Sequence, residues 1–313
     1  MLSRVERTDI KKMSREEWLA VRRRSIGGSD AAAIVGLNEW SSPYHVWADK
    51  TGRLPPQEET EAMRLGRDLE TYVASRFTEV TGKQVRRVNS ILQNMLYPFA
   101  HANVDRMIVG ENAGLEVKTT SALNMKRFMN GEYPASYYVQ CTHYMAVTGA
   151  KKWYLAVLVL NKDFLVLEIE RNEDEISALM QAEAEFWHYV ESDTPPPVDG
   201  SDVTTETIST IFAESDRGAA IDLFGREKLL DEYMALTKQK DELECAIDTI
   251  KQTLMSDMGE AETGYCGDYR VTWKKQTRRT FDAKAYKEEH PDLDVDDYYN
   301  VSAYRVFKIT EDN

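Results

Sequence analysis

Two charged side chains of opposite sign stand two positions apart in the apolar stretch "GLEVKTT", residues 114–120. In a strand, side chains alternate between the two faces, so Leu115 and Val117 would enter a core while Glu116 and Lys118 share the other face. Another acid, Asp105, precedes the turn "GENAG", which would return the chain antiparallel and bring Asp105 beside Glu116. Two carboxylates and one ammonium group would then converge.

Converging carboxylates indicate metal chemistry. Like charges repel and raise one pKa unless a cation neutralises them, and Mg²⁺ with oxygen ligands is suited to this. The ion would polarise a phosphate oxygen and lower the pKa of a bound water, which Lys118 could orient. The acid-x-Lys pattern recurs at 9–11 and 282–284, but only Glu116 lies on a predicted strand between apolar neighbours. On spacing and strand context alone, a surface salt bridge between Glu116 and Lys118 is an equal alternative.

Composition bounds the classes of protein to consider. A chain of 313 residues, 42% of them hydrophobic, can build one large or two modest globular domains. The net charge of −14 speaks against bulk coating of nucleic acid, although basic residues cluster at 22–24 and 274–279. No secretory signal and no run of about 18 apolar residues is found, which predicts a cytoplasmic protein without membrane insertion. The three cysteines are odd in number and far apart, so we interpret them as reduced and structural.

The elements that must position these side chains fall into two parts around a proline-rich linker. The predicted domain covers residues 1–194, the linker 195–204, and the remainder 205–313. In the first part, helices and strands with a central hairpin predict an α/β or α+β sheet. Predicted helices begin at the Ser14 N-cap, after the paired glycines at 27–28, near Glu61, near Tyr137 and at the Asn172 N-cap; predicted strands lie in 84–88, 98–109, 114–120, 153–160 and 164–170.

Beyond the linker, apolar residues recur every seven positions. The stripe comprises two offset series, Leu229, Leu236, Leu243, Ile250 and Tyr233, Lys240, Ile247, Leu254, with lysine as the polar interruption. This predicts a coiled coil or helical hairpin, and a long helix packed on its own domain is an equal alternative. The segments "YRVTWKKQTRRTF" and "SAYRVFKI" are predicted strands flanking a helix that starts at Asp282.

Four motifs in order, "RRRSIGGSDAAAIVG", "LGRDLE", "VDRMI…GLEVKTT" and "YYVQCTHYMAVTGAKKWYLAVL", resemble the YqaJ-type phage recombination nucleases. These are relatives of phage lambda exonuclease in the PD-(D/E)xK superfamily, and the resemblance covers about residues 14–191. It implies a restriction-endonuclease-like core, in which a central mixed sheet is flanked by helices.

The resemblance also implies an activity. Such a protein is a Mg²⁺-dependent exonuclease, with Mn²⁺ expected to substitute, that enters at a double-stranded DNA end. It degrades one strand 5′ to 3′ and leaves a 3′ single strand for an annealing protein. A ring-like homo-oligomer, encoded by a phage or prophage in a bacterial host cell, is implied as well.

Residue roles follow motif by motif from the resemblance. Asp105 and Glu116 are the implied metal-binding acids, the carbonyl of Val117 a further ligand and Lys118 the catalytic lysine. Glu70 of "LGRDLE" is the implied helix-borne acid of the site and a further implied metal ligand. Its position at the border of an apolar helix face agrees, because an unpaired carboxylate is costly there; an ion pair with a nearby arginine, Arg67 or Arg76, is the alternative.

The motif "YYVQCTHYMAVTG" supplies Gln140 and Tyr144, which match a Gln-x-x-x-Tyr element of RecB-type relatives that lines the site and contacts DNA or the lysine. The lambda-type segment reads Gln-x-Gln, and Thr142 stands at its second position, so the sequence departs from that pattern. We favour Gln140, while a polar residue capping a buried helix is an equal reading. His101 would share a strand face with Asp105, although a simple hydrogen-bonding role is the more common fate.

Upstream, "WLAVRRRSIGGS" resembles the family segment that binds a DNA phosphate near the scissile end, with Arg22 and Ser29 at the matching positions. Gly28 would free the backbone to approach a ligand, Ser29 would cap the following helix, and a guanidinium gives bidentate phosphate contacts. Tyr144 is assigned to the same DNA contact.

Three functional hypotheses follow from these residues. The first is an exonuclease acting on duplex ends, the second an endonuclease cutting within a duplex, and the third a non-catalytic scaffold that binds DNA or a partner. Residues 205–313 would serve oligomer contacts, a grip on the product strand or docking of the annealing protein, and the sequence does not choose among these.

Overall fold

The structure is a computed structural model that describes residues 5–290, 298 and 304–310. These residues form two compact units divided between Ala213 and Glu214. The division lies after the proline-rich linker predicted at 195–204 rather than within it, because the helix at Asp202–Ile211 belongs to the first unit, where its Thr204 hydroxyl donates to Ser42 Oγ.

The first unit contains seven helices and eight strands among its described residues, and a 3₁₀ segment at Ala122–Gly131. The helices are α1 (Arg15–Arg23), α2 (Gly28–Ile34), α3 (Pro43–Lys50), α4 (Glu61–Thr81), α5 (Ala135–Thr148), α6 (Glu173–Glu191) and α7 (Asp202–Ile211). The strands are β1 (Val5–Asp9), β2 (Val85–Arg87), β3 (Ser90–Asn94), β4 (His101–Ala102), β5 (Arg106–Ile108), β6 (Ala113–Thr120), β7 (Lys152–Val159) and β8 (Asp163–Glu170).

A five-stranded sheet is the centre of this unit, in the order β2-β5-β6-β7-β8. Strands β6 and β7 run parallel because α5 crosses between them, and the other neighbours are antiparallel. The sheet is therefore mixed. A second, three-stranded sheet pairs β1 with β3 and β3 with β4.

Helices cover both faces of the five-stranded sheet. On one face α4 packs through Val73 and Phe77 against Leu115 and Tyr154. On the other, α5 packs against Trp153 and its neighbours in a core that also includes residues of α2 and α6. This arrangement of a mixed sheet flanked by helices confirms the predicted fold class.

Several predicted elements are confirmed together with their caps. Ser14 and Glu17 form a capping box at α1, and the Asn172 side chain accepts backbone N–H groups at the start of α6. Strands β7 and β8 form the expected hairpin. Residues 28–34 and 61–81 are helical as expected, but Ser29 does not cap α2, because Gly27 is the N-cap and the Asp30 side chain accepts its N–H.

The second unit contains α8 (Glu227–Met258), a hairpin of β9 (Thr263–Cys266) and β10 (Tyr269–Thr272), and α9 (Ala283–Glu289). The heptad stripe lies on α8, and Asp282 caps α9 as predicted. The strand predicted in 269–281 is confirmed only at its start, because β10 ends at Thr272, before the basic run. The strand predicted in 302–309 is wrong for residues 304–309, which form no strand, while residues 302–303 lie outside the described part.

Two findings bear on the exclusions made from composition. All three cysteines are free; Cys141 is buried, but Cys245 and Cys266 are exposed, so the interpretation as structural residues holds only for Cys141. Within the described ranges, no helix is long and apolar enough to cross a membrane.

Candidate functional site

Strand β6 presents Glu116 and Lys118 to helix α5. Alternation places Leu115 and Val117 in the core against α4, so the two charged side chains face the opposite way, as predicted. The Glu116 side chain is 4% exposed and Lys118 Nζ lies 2.7 Å from its Oε1. The pair is therefore not a solvated surface salt bridge, the alternative that spacing alone left open.

Gln140 of α5 connects the two charges. Its amide Nε2 donates to Glu116 Oε1 at 2.8 Å, and its Oε1 accepts from Lys118 Nζ at 2.9 Å. The same Nε2 lies 2.8 Å from the hydroxyl of Tyr144, one helical turn later. Of the two residues considered for the glutamine position, Gln140 and not Thr142 makes these contacts in the described part of the chain.

Asp105 lies immediately before β5 and contacts the same stretch of β6. Its Oδ2 accepts the backbone N–H of Val117 at 2.8 Å. Burial, together with the nearby negative charge of Glu116, raises the pKa of Asp105 well above its ordinary value. Burial acts to lower the pKa of Lys118, but the Glu116 carboxylate outweighs it and the pKa is raised. The lysine is thus a fixed cation beside two acids.

Glu70 of α4 reaches this region but has another partner. Its carboxylate forms an ion pair with Arg106, and Arg106 Nη1 also donates to the backbone carbonyl of Asp105 at 2.7 Å. Arg87 approaches the same carboxylate at 3.9 Å. Glu70 therefore forms the kind of ion pair expected as its alternative role, but with Arg106 instead of Arg67 or Arg76. Its carboxylate is already neutralised by an arginine that also contacts Asp105.

The donor set fits a hard divalent cation at two carboxylates. The buried Oε2 of Glu116 has no hydrogen-bond partner, and a buried carboxylate oxygen without one is costly. The raised pKa of Asp105 and the unpartnered Oε2 of Glu116 both indicate that a cation would stabilise these two carboxylates. Across the described residues, no group of three or more His, Cys, Asp or Glu side chains has the geometry of a metal site. A bound ion would therefore be held by Asp105 and Glu116, with remaining positions for water or substrate oxygens, as Mg²⁺ prefers.

An open cleft of about 300 Å³ leads to Lys118 and Gln140. Gly28 and Ser29 line it together with Trp40 and Arg127. Gly28 and Ser29 of the predicted phosphate-binding segment therefore line the same cavity as Lys118 and Gln140.

The segment at the start of α2 is held by an unexpected set of contacts. Arg22 Nη2 donates to Ser29 Oγ at 3.2 Å. Lys50 of α3 pairs with Asp30 at 2.6 Å and donates to the Arg22 carbonyl at 3.2 Å. Burial acts to raise the pKa of Asp30, but Lys50 and Arg22 outweigh it and hold the pKa well below its usual range.

Gly28 is required by packing rather than by a strained backbone. A β-carbon at this position would lie 2.5 Å from the Tyr144 ring. Burial, together with the nearby charge of Glu116, raises the pKa of the Tyr144 hydroxyl well above its ordinary value. The glycine thus lets α2 approach α5, and Tyr144 supports Gln140 from beneath.

The histidines lie outside the charged cluster. His101 Nδ1 lies 2.9 Å from Ser25 Oγ, and burial with the neighbouring Lys50 and Arg22 lowers its pKa to about 3. His143 pairs with the buried Glu183. His101 therefore makes the hydrogen bond expected as the alternative to metal binding.

Sequence reasoning missed Arg106, Lys50 and Tyr137, whose ring lies 5.0 Å from Lys118 Nζ. Arg106 had a usable signal, because "VDRMI" sets a basic residue inside an apolar strand next to the acid. Lys50 gave none, since its partner Asp30 lies on a different helix.

Comparisons with known proteins identify the family of the chain. A sequence profile of the YqaJ-like viral recombinase domain matches residues 17–151. The protein YqaJ of Bacillus subtilis (strain 168) is 42% identical over 287 residues, which cover 90% of each chain. The chain belongs to the YqaJ-like viral recombinase family.

Solved structures support the family's fold. The alkaline exonuclease LHK-Exo from Laribacter hongkongensis superposes with a TM-score of 0.50 at 21% identity, over 57% of this chain and 93% of its own. Its structure in complex with dAMP gives the same values. At this identity the likeness shows a common PD-(D/E)xK fold, which is the architecture described above.

Proposed function

We propose that this recombinase-family protein is a Mg²⁺-dependent deoxyribonuclease that degrades double-stranded DNA from its ends. The observation that carries the proposal is the buried connection of Lys118 and Glu116 through Gln140, with Asp105 on the adjoining segment. A structural ion pair does not require a second buried carboxylate, since like charges in a protein interior destabilise each other. A metal-dependent nuclease centre does require one, because its ion is held by two acids.

Each side chain has a distinct role in this proposal. Asp105 and Glu116 would hold the ion, with the Val117 carbonyl as the further ligand suggested by family resemblance. A bound Mg²⁺ supplies Lewis-acid polarisation of the scissile phosphate; Mn²⁺ is expected to replace it. Lys118 places a permanent positive charge where charge develops on the phosphate, and Gln140 fixes the lysine so that little reorganisation is needed. Glu70 would act through Arg106, whose guanidinium it orients beside Asp105.

The cleft gives the DNA a place to bind. Arg22 and Ser29 would contact a phosphate. Gly28 and Ser29 line the cleft, and Tyr144 is buried directly behind Gly28, next to Gln140. Guanidinium groups bind phosphate in bidentate fashion. A backbone phosphate bound there would lie in the same cavity as Lys118.

Family membership supports the finer parts of the proposal. Recombination by strand annealing needs 3′ single-stranded tails, so we assign digestion in the 5′ to 3′ direction from a duplex end. A single-strand annealing protein is then the consumer of the product, and a ring-like homo-oligomer would keep the enzyme on its strand. The protein would act in the cytoplasm of a bacterial host that carries the phage or prophage.

The test is degradation of linear duplex labelled at the 5′ or 3′ end, with Mg²⁺ or a chelator, by the parent chain and two variants. Lys118→Ala is expected to abolish degradation while duplex binding remains. Lys152→Ala is the matched control, because Lys152 also pairs with acids, Glu168 and Glu170, on the same sheet. Closed circular duplex should stay intact.

Contrary outcomes separate the alternatives. Degradation by Lys118→Ala at the parent rate would reject the assigned centre. Cutting of closed circles would make the protein an endonuclease. Binding without Mg²⁺-dependent degradation would leave a scaffold.

A further inference from the structure

Helix α8 exposes a long apolar stripe. Its 32 residues include no buried side chain. Seven large side chains of the heptad stripe are between 41% and 65% exposed: Leu229, Tyr233, Leu236, Leu243, Ile247, Ile250 and Leu254. From Leu229 to Leu254 the stripe is about 38 Å long at 1.5 Å per residue. Solitary exposed apolar residues are ordinary, but a continuous stripe of this kind marks an interface.

The described remainder of the second unit does not cover this stripe. Helix α9 has seven residues and β9 and β10 have four each, so none of them spans four heptads. Phe307 lies 6.4 Å from the ring of Tyr233 but is itself 80% exposed. Another long helix would match the length of the stripe.

The order of residues along α8 makes a second copy of the same helix a matching partner. The stripe is symmetric about the point between Asp241 and Glu242. When two copies run antiparallel, every position of one heptad series meets a position of the other series, as coiled-coil packing requires. The resulting layers are Leu229 with Leu254, Tyr233 with Ile250, Leu236 with Ile247, and Lys240 with Leu243.

Charge decides between the two orientations. In a parallel pair the two Lys240 ammonium groups would face each other in one layer. In an antiparallel pair Lys240 instead lies beside Leu243 and the adjoining Glu244 of the other helix. Lys240 already forms an ion pair with Glu244 of its own helix at 3.5 Å, which shows that its side chain reaches this position along the stripe. A polar residue within an apolar seam sets register and orientation in this way.

The area is sufficient for a specific contact. With on the order of 80 Å² of apolar surface per side chain, two stripes of seven would remove about 1,100 Å² from water. Specific interfaces bury roughly 1,000 Å² or more in total. We infer that α8 is a self-association element, through which two chains pair by an antiparallel two-stranded coiled coil related by a twofold axis between Asp241 and Glu242.

The first experiment measures the mass of the full chain by sedimentation equilibrium. The double variant Leu236→Glu with Ile247→Glu places two glutamates in the layer that pairs these positions, and again in the equivalent layer across the twofold axis. It should halve the mass of the assembly. Lys238→Glu is the control, because Lys238 lies on the opposite face of α8, and its mass should equal that of the parent. Equal masses for all three proteins, or a halved mass for the control, would overturn the inference.

Cross-linking tests the orientation in a background of Cys245→Ser and Cys266→Ser, which removes the exposed thiols. Leu236→Cys and Ile247→Cys chains are mixed and treated with a short thiol-reactive cross-linker. The mixture should give covalent dimers and neither variant alone should, because identical positions in an antiparallel pair lie about 16 Å apart along the axis. Cross-linking of either variant with itself would show a parallel pair, and none in the mixture would reject the pairing.

The result is independent of the proposed nuclease function. Mass and cross-linking are read without DNA or Mg²⁺, and the substituted positions lie outside the first unit. A ring formed through that unit would also keep its own stoichiometry, so breaking the α8 contact still changes the total mass twofold. An inactive parent chain that dimerises through α8 would reject only the nuclease proposal.

Discussion

Gln140 gives the sharpest test of how the candidate centre is organised. Gln140→Ala removes three hydrogen bonds, two of them with the charged groups of Glu116 and Lys118. Bonds to charged groups contribute about 1.5–3 kcal/mol each. Lys118 keeps its contact with Glu116 at 2.7 Å, so part of its positioning survives. We therefore expect a loss of about 2–4 kcal/mol in transition-state stabilisation, which lowers kcat/KM roughly 30- to 1,000-fold.

The assay is the initial rate of degradation of end-labelled linear duplex over a range of DNA concentrations, so that kcat and KM separate. A positioning role predicts that kcat falls while KM changes little. Thr142→Val is the matched control, because Thr142 is also buried on α5, two residues later. Gln140→Glu keeps the length of the side chain but places a third carboxylate beside Glu116, so its rate should fall at least as far as that of Gln140→Ala.

Two results would refute this reasoning. A parent-like rate for Gln140→Ala would mean that Lys118 needs no positioning by α5. An equal loss in Thr142→Val would mean that the rate reports damage to the helix rather than the contacts of the glutamine.

Three further predictions concern stability. Mg²⁺ should raise the free energy of unfolding of the parent by about 2.7 kcal/mol at 100 times its Kd. It should leave the free energy of unfolding of the double variant Asp105→Asn with Glu116→Gln unchanged. Equal stabilisation of both proteins in urea titrations would place the ion elsewhere. Gly28→Ala should lower the free energy of unfolding by about 1–3 kcal/mol, because its β-carbon would lie 2.5 Å from Tyr144. Gly66→Ala should instead raise it by about 0.5–1 kcal/mol, because its β-carbon would lie 3.6 Å from its nearest neighbour and alanine is the better helix former in α4. Thermal unfolding of the two variants checks the opposite signs. The pKa of His101 is lowered to about 3, so this histidine is neutral in the folded protein. Its contribution to the free energy of unfolding is therefore present above pH 6.5 and is lost at up to about 1.4 kcal/mol per pH unit as the pH falls towards 3. His101→Gln should flatten this part of a stability profile measured by urea unfolding, and an unchanged slope would contradict the prediction.

Local pattern was enough for the strands and helices that carry strong signals. The capping residues of α1 and α6 and the alternation on β6 each involve contacts within a few positions, and all were predictable. The short strands β1 and β3 and the helix α3 were not predicted. Their segments are brief, and pairing partners such as Val5 and Asn94 lie far apart along the chain.

The sequence by itself determined that Glu116 and Lys118 share a face and that the adjoining turn returns Asp105 to them. Both follow from a period of two and a short connection, which act locally. Only the tertiary structure decided that this face meets Gln140, that Glu70 pairs with Arg106 and that Lys50 secures the start of α2. These contacts join side chains from different elements, and their partners are selected by how the helices pack on the sheet.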